Sequence, residues 1–147
     1  MGITIKKIGV DDIDSIVFLF DEYREFYKQS RHSGTVSFLK ERLQNNESVI
    51  FIAYADDMPC GFMQLYPIFS SVELKRTWLL NDLYVAANAR KLGIGAALLE
   101  AAKKHGELTG SRWLLLQTGA DNFAAQSVYE KNGWVRETDF FYRMDLE

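Results

Sequence analysis

Apolar residues along this chain switch between two spacings. Residues 3–9, ITIKKIG, alternate closely enough for a strand. Residues 11–30, DDIDSIVFLFDEYREFYKQS, place Ile13, Ile16, Val17, Phe20, Tyr23 and Tyr27 at helical spacing, with Asp11 set to cap the helix. TVSFLKERLQ predicts a shorter helix capped by Thr35. SVIFIAYA and CGFMQLYPIF predict a hairpin turned between Asp56 and Pro59, and IFSSVELKRTW reads as a loop with Glu73 and Arg76 available. TWLLNDLYV is a strand, a glycine turn follows, and a helix runs from about Ala96 to Leu108. SRWLLLQTG predicts a short buried strand. NFAAQSVYEKNG predicts a helix stopped by Gly133. WVRETD and FFYRMDLE predict two closing strands joined at Thr138 and Asp139. The order is β-α-α-β-β-β-α-β-α-β-β, a mixed sheet with helices packed on it, and no repeat or linker interrupts it.

Composition bounds this picture without changing it. A chain of 147 residues that is 48% apolar and 25% charged suits one globular domain with a real core. The net charge of -3 and the lack of a Lys/Arg-rich run argue against nucleic acid as a partner. Cys60, the single cysteine, cannot form an intrachain disulfide and reads as a small hydrophobe at the exit of a turn. The N-terminal stretch carries no long apolar run, which predicts a cytoplasmic protein without a membrane span. His32 and His105 stand alone, with no metal spacing; His105 sits near a helix end, where the dipole favours it.

The glycines carry the first chemical signal. Gly93 and Gly95 lie between a strand and a helix, where glycine costs helicity. Their absent side chains let first-turn N–H groups approach a ligand, and the helix dipole favours an anion there. Strand, glycine turn and helix together suit a phosphate. A P-loop needs Gly-Lys-Ser/Thr, which GIGAAL lacks. A dinucleotide fingerprint needs a small residue where Leu98 stands. A plain turn before a core helix is the remaining alternative.

The flanks distinguish these readings. RKLGIG is Arg90-x-x-Gly93-x-Gly95, and downstream lies Asn122-x-x-Ala125-x-x-Val128-Tyr129-x-x-x-Gly133-Trp134. This pair, in this order, resembles the GNAT superfamily of acetyl-coenzyme-A-dependent N-acetyltransferases. Lys91 departs from the glycine most often found after the first arginine. The resemblance implies an α/β (α+β mixed) fold in a single domain over 1–147. Its central sheet is mixed and mostly antiparallel, splayed at strands 4 and 5, and flanked by about four helices. NDLYV is similar to the Glu-Asp-Leu-Tyr-Val of diamine acetyltransferases, with Asn81 in place of the Glu that is the favoured base there.

The family likeness implies roles. The coenzyme pyrophosphate is expected on the backbone of Lys91, Leu92, Gly93, Ile94, Gly95 and Ala96, aided by the Arg90 and Lys91 side chains. The pantetheine arm is expected beside Leu83, Tyr84 and Val85, with the Val85 N–H polarising the thioester carbonyl. Asn122 is expected to bond the arm from its other side, or else to cap its own helix. Tyr129 is implied as the general acid for the leaving thiolate. Asp82, read as sharing a strand face with Leu80 and Tyr84, is the best-placed carboxylate to anchor or help deprotonate an amine; a structural pairing within the sheet is the other reading.

Glu22, Glu25, Tyr23, Phe26 and Tyr27 on the first helix suit an organic cation, or form a core stripe with a solvated acidic face. The expected activity is acetyl transfer from acetyl-CoA to a primary amine of a small molecule, polyamine-like in charge, by direct attack in a ternary complex. No metal is expected, and a homodimer is, with Phe140 or Phe141 suited to its interface. The alternatives are a catalytically idle acetyl-CoA-binding module, or a transferase acting on protein or peptide amino groups.

Overall fold

A computed structural model of the chain describes residues 2–29 and 34–147. Ser30 and His32 lie outside these residues. The described chain divides into two compact units, Met1–Gln117 and Thr118–Glu147.

The first unit is built on one five-stranded sheet in chain order: β1 (Ile3–Ile8), β2 (Val49–Ala55), β3 (Met58–Ser70), β4 (Lys75–Val85) and β5 (Leu114–Leu116). Neighbours from β1 to β4 run antiparallel, and β5 runs parallel to β4. Helices α1 (Val17–Phe26), α2 (Thr35–Gln44) and α3 (Ile94–Leu108) accompany the sheet. Strand alternation sorts β2 between two faces. Ile50 and Ile52 pack with Ile13, Ile16, Leu19, Phe20, Leu39 and Phe62 on the face of α1 and α2. Phe51 faces the other way and meets His105 of α3, ring centroids 5.8 Å apart. The second unit holds α4 (Phe123–Lys131), which ends at Asn132 before Gly133 with φ of +90°, as the glycine predicts. Among the described residues no helix is long and apolar enough to cross a membrane.

Several local expectations are corrected. Asp11 does not cap α1. It sits inside a 3₁₀ turn, Val10–Ser15, and Asp12 Oδ2 instead accepts the Gly9 N–H at 3.0 Å. Thr35 is the first residue of α2 rather than its cap, and its hydroxyl donates to buried Asp21 at 3.4 Å. The supposed loop IFSSVELKRTW is largely strand, because β3 runs on to Ser70 and β4 begins at Lys75. Arg76 there lies 5.1 Å from the ring centroids of both Phe69 and Trp78, and Glu73 pairs with Arg112. β5 is three half-buried residues rather than a buried strand. No strand forms from Trp134 to Glu147. Alternation marks a residue pattern, but a strand also needs a neighbour to supply its hydrogen bonds, and the pattern is silent about neighbours.

His105 is buried between Phe51 and Trp78, and its Nε2 has no hydrogen-bond partner among the described residues. Burial, reinforced by Lys7 and Arg76, pushes its pKa below the usual histidine value. The folded protein therefore takes up this proton at lower pH than the unfolded chain. The associated stability is complete above about pH 6.5 and is lost as pH falls toward the folded value. Thermal unfolding followed from pH 8 to pH 5 should show Tm falling below about pH 6.5. His105→Leu should flatten that limb and unfold higher at every pH, because it removes an unsatisfied buried nitrogen. Parallel Tm profiles for the two proteins would contradict this.

Candidate active site

The turn between β4 and α3 leaves the helix start open. Lys91 and Gly93 both adopt left-handed backbone, with φ of +65° and +83°. Gly93 is the N-cap residue and no side chain caps it. α3 consequently begins at Ile94, two residues before the sequence reading placed it. The Ala97 N–H donates to the Gly93 carbonyl at 3.0 Å, so the N–H groups of Ile94, Gly95 and Ala96 precede the first intrahelical bond. A Cβ built on Gly93 or Gly95 would meet nothing within 4 Å. The two Cα positions are thus unobstructed, and no side chain caps the donors of the first turn. Arg90 turns back instead: its Nε donates to the Val85 carbonyl at 3.1 Å, and its guanidinium lies 6.0 Å from the Tyr84 ring centroid.

β4 offers a second set of backbone donors. β5 pairs with it only at Trp78, Leu79 and Leu80. Past Leu80, β3 is the one strand paired with it among the described residues. The register pairs Gln64 with Asp82 but Leu65 with Leu80, so Asn81 is an extra residue, a β-bulge. Beyond the bulge, the Ala86 N–H donates to the Cys60 carbonyl at 2.8 Å. The Tyr84 carbonyl likewise turns to β3, so close that a Cβ on Gly61 would lie 2.8 Å from it. Only glycine permits that approach. Strand alternation then points the N–H groups of Leu83 and Val85 to the open side. The open β4 edge and the open α3 start are joined by the turn itself.

The bulge corrects the placement of Asp82. Leu80 lies opposite Leu65, which faces away from Gln64, so Asp82 shares a face with Tyr84 and not with Leu80. Asp82 is buried, and its carboxylate is well supplied with donors. Gln64 Nε2 donates to Oδ2 at 2.8 Å, Asn81 Nδ2 to Oδ1 at 3.2 Å, and the Tyr23 hydroxyl hydrogen-bonds it as well. Burial and then Asp82 push the Tyr23 phenol well up from its usual pKa. The Tyr66 phenol is pushed up to about 12, by burial first and Asp82 second. Tyr84 donates to Glu22 Oε2 at 3.1 Å, and burial followed by that carboxylate raises its pKa too. All three phenols are donors near neutral pH and none is a base. Tyr23 of α1 lies 6.0 Å, centroid to centroid, from Tyr84; Tyr27, just past the end of the helix, lies 5.1 Å from Tyr23, and both Phe26 and Tyr27 are exposed.

The remaining candidates lie in the second unit. Asn122 Oδ1 accepts the Ala125 N–H at 3.2 Å, so it caps α4. Tyr129 is half-buried on the same helix, its ring centroid 6.3 Å from that of Trp134. Cys60 is buried, burial raises its thiol pKa, and Sγ donates to the Ala53 carbonyl. It is packing, as its sequence context suggests. Among the described residues no group of three His, Cys, Asp or Glu is placed to hold a metal ion.

A mixed sheet with one strand edge left open beside an uncapped helix start offers backbone donors of a kind that suit an extended, anion-bearing ligand. The Acetyltransferase (GNAT) family model matches residues 16–134, and the chain belongs to that family. It is 46% identical over 139 residues to an uncharacterized N-acetyltransferase of Bacillus subtilis (strain 168), covering 94% of this chain and 93% of the relative. A crystal structure of a probable acetyltransferase superposes with a TM-score of 0.93 at 39% identity, over 98% of each chain. A structure of AAC(6')-Iy in complex with a bisubstrate analogue, CoA-S-monomethyl-acetylneamine, shares the fold, with a TM-score of 0.81 at 21% identity over 99% of each chain. The protein is an acetyltransferase enzyme.

Gln64, Ser48 and the attachment of Tyr23 and Tyr66 to Asp82 do not stand out in the sequence. One signal was available: Gln64 is the lone polar residue in CGFMQLYPIF, and a polar residue inside an apolar strand needs a partner. The two glycines of the turn should separate in their effect on stability. Gly93→Ala places a Cβ in left-handed backbone and should cost roughly 1–2 kcal/mol. Gly95→Ala, in open helical space, should gain roughly 0.5–1 kcal/mol. Urea unfolding checks both, and equal values would contradict the geometry.

Proposed function

We propose that the protein transfers the acetyl group of acetyl-CoA to a primary amine of a small molecule by direct attack in a ternary complex. The observation that carries this reading is the open β4 edge at Leu83 and Val85 running into the uncapped start of α3. Pantetheine is an extended chain with two amides and can pair with the edge as a strand would. The coenzyme pyrophosphate then falls on the backbone from Lys91 to Ala96, with the Lys91 ammonium adding charge. The Val85 N–H polarises the thioester carbonyl as negative charge gathers on its oxygen. The known neighbour of this fold whose structure holds a CoA-linked bisubstrate analogue supports the same class of donor.

The amine nitrogen attacks the thioester carbon as a free base and the coenzyme leaves as a thiolate. The nitrogen sheds one proton, and the sulfur takes one up. A phenol ionises near ~10 and a thiol near ~8.5, so proton transfer from Tyr129 to the sulfur is uphill by only about 2 kcal/mol. Asn81 cannot act as a base, being an amide. Asp82 is buried and hydrogen-bonded to Tyr23, so it serves by orienting its donors rather than by touching the amine. Glu22, beside Tyr84 and the α1 aromatics, favours a cationic, polyamine-like acceptor.

Thiol release on adding putrescine, spermidine, sisomicin or a lysine peptide identifies the acceptor class. The donor site is tested by Gly95→Val, which should fold yet bind acetyl-CoA at least tenfold more weakly by calorimetry. Unchanged affinity in the folded variant would sink the phosphate assignment. Tyr129→Phe should lower kcat by on the order of 100-fold or more while acetyl-CoA affinity stays within twofold. A wild-type kcat in that variant would remove Tyr129 from the chemistry and leave the donor site standing.

A further inference from the structure

A row of polar side chains crosses the sheet where apolar residues would be expected. Ser48, just before β2, stands on the same face as Ile50. Its hydroxyl donates to Gln64 Oε1 at 2.7 Å, and Gln64 Nε2 donates to Asp82 Oδ2 at 2.8 Å. Gln64 also hydrogen-bonds the Tyr66 hydroxyl. Their exposures are 7% for Ser48, 0% for Gln64 and 6% for Asp82. The amide is engaged at both ends, so its orientation is fixed: reversing it would set two acceptors against each other at Asp82. Folding alone gives little reason for such a row, because apolar side chains of similar volume are often as stable or more so.

Its position gives it a use. Gln64 lies opposite Asp82 at the point where the register shifts, so the row ends on the bulge. Before the bulge, the Trp78 N–H points to the β5 side, donating to the Trp113 carbonyl at 3.3 Å. By simple alternation that sense would pass to Leu80, Asp82 and Tyr84. The extra residue passes it to Leu83 and Val85 instead. Asn81, the inserted residue, is itself bonded to Asp82 Oδ1. One carboxylate thus holds the residue opposite, the bulged residue, and Tyr23 of α1.

We propose that Gln64 is a positioning residue of the acyl-donor site: it clamps Asp82 across β3 and β4 and so holds the bulge that turns the Leu83 and Val85 N–H groups to the open edge. This rests on the acetyl-CoA reading given above. Gln64→Glu keeps size and shape but sets two carboxylates face to face. The pair must share a proton to keep the clamp, so its integrity becomes pH-dependent.

The test measures acetyl-CoA affinity by calorimetry for wild type and Gln64→Glu at pH 5.5 and 8.5, with circular dichroism confirming the fold at each pH. Hydrogen exchange at the Asp82 and Tyr84 amides is followed in the free proteins. At pH 5.5 the variant should bind within threefold of wild type. At pH 8.5 it should bind at least tenfold more weakly, with those amides exchanging at least tenfold faster than in wild type. An apolar row, Ser48→Ala/Gln64→Met/Asp82→Leu, should fold and lose the same affinity. Folded Gln64→Glu with wild-type affinity and wild-type exchange at pH 8.5 would overturn the proposal. A wild type that binds no acetyl-CoA would overturn the donor reading instead, while exchange in the free proteins still reports on the clamp.

Discussion

One inserted residue in β4 sets the chemistry available to the rest of the chain. A strand inside a sheet spends its backbone donors on its neighbours. β4 escapes this because Asn81 adds a residue on one side of a ladder that β3 keeps regular on the other. The parallel pairing with β5 stops at Leu80, and among the described residues no strand pairs with the donors beyond it. Gly61 contributes from the opposite side, since any side chain there would push the Tyr84 carbonyl out of place. A short β5, a bulge and a glycine on the neighbouring strand together keep one edge available without weakening the pairing of β3 with β4.

The carboxylates and phenols near that edge divide their work by burial. Asp82 is enclosed and its oxygens are committed to amide and phenol donors. Glu22 is half-buried and keeps contact with solvent while accepting from Tyr84. Burial, with these carboxylates beside them, keeps Tyr23, Tyr66 and Tyr84 protonated, so the cluster can orient and donate but cannot remove a proton.

The fold was legible where the sequence carries a period or a punctuation mark. Helical spacing located α1, α2 and α4, and the hairpin between β2 and β3 stood out from Asp56 and Asp57, both in left-handed backbone. Gly93 marked the turn and Gly133 the end of α4. What escaped was whatever depends on a partner distant in sequence. The bulge is a relation between β3 and β4 and leaves no trace in NDLYV alone. The Asp82 network needs residues 23, 64 and 82 in one place, so reading Asp82 beside Leu80 followed from assuming unbroken alternation. The closing strands were inferred from a pattern that names no neighbour, and none forms.

The bond from Arg90 to the Val85 carbonyl bears on a different matter, the behaviour of the molecule in a crowded solution. An open strand edge is a template for any other extended chain, and proteins that expose one risk joining sheet to sheet. A foreign strand needs donors and acceptors in alternation. Here the acceptor at the end of the edge is already taken, and by a cationic side chain that has to be displaced before pairing can spread. The edge stays open to a ligand that needs donors and is poorly suited to nucleating an aggregate.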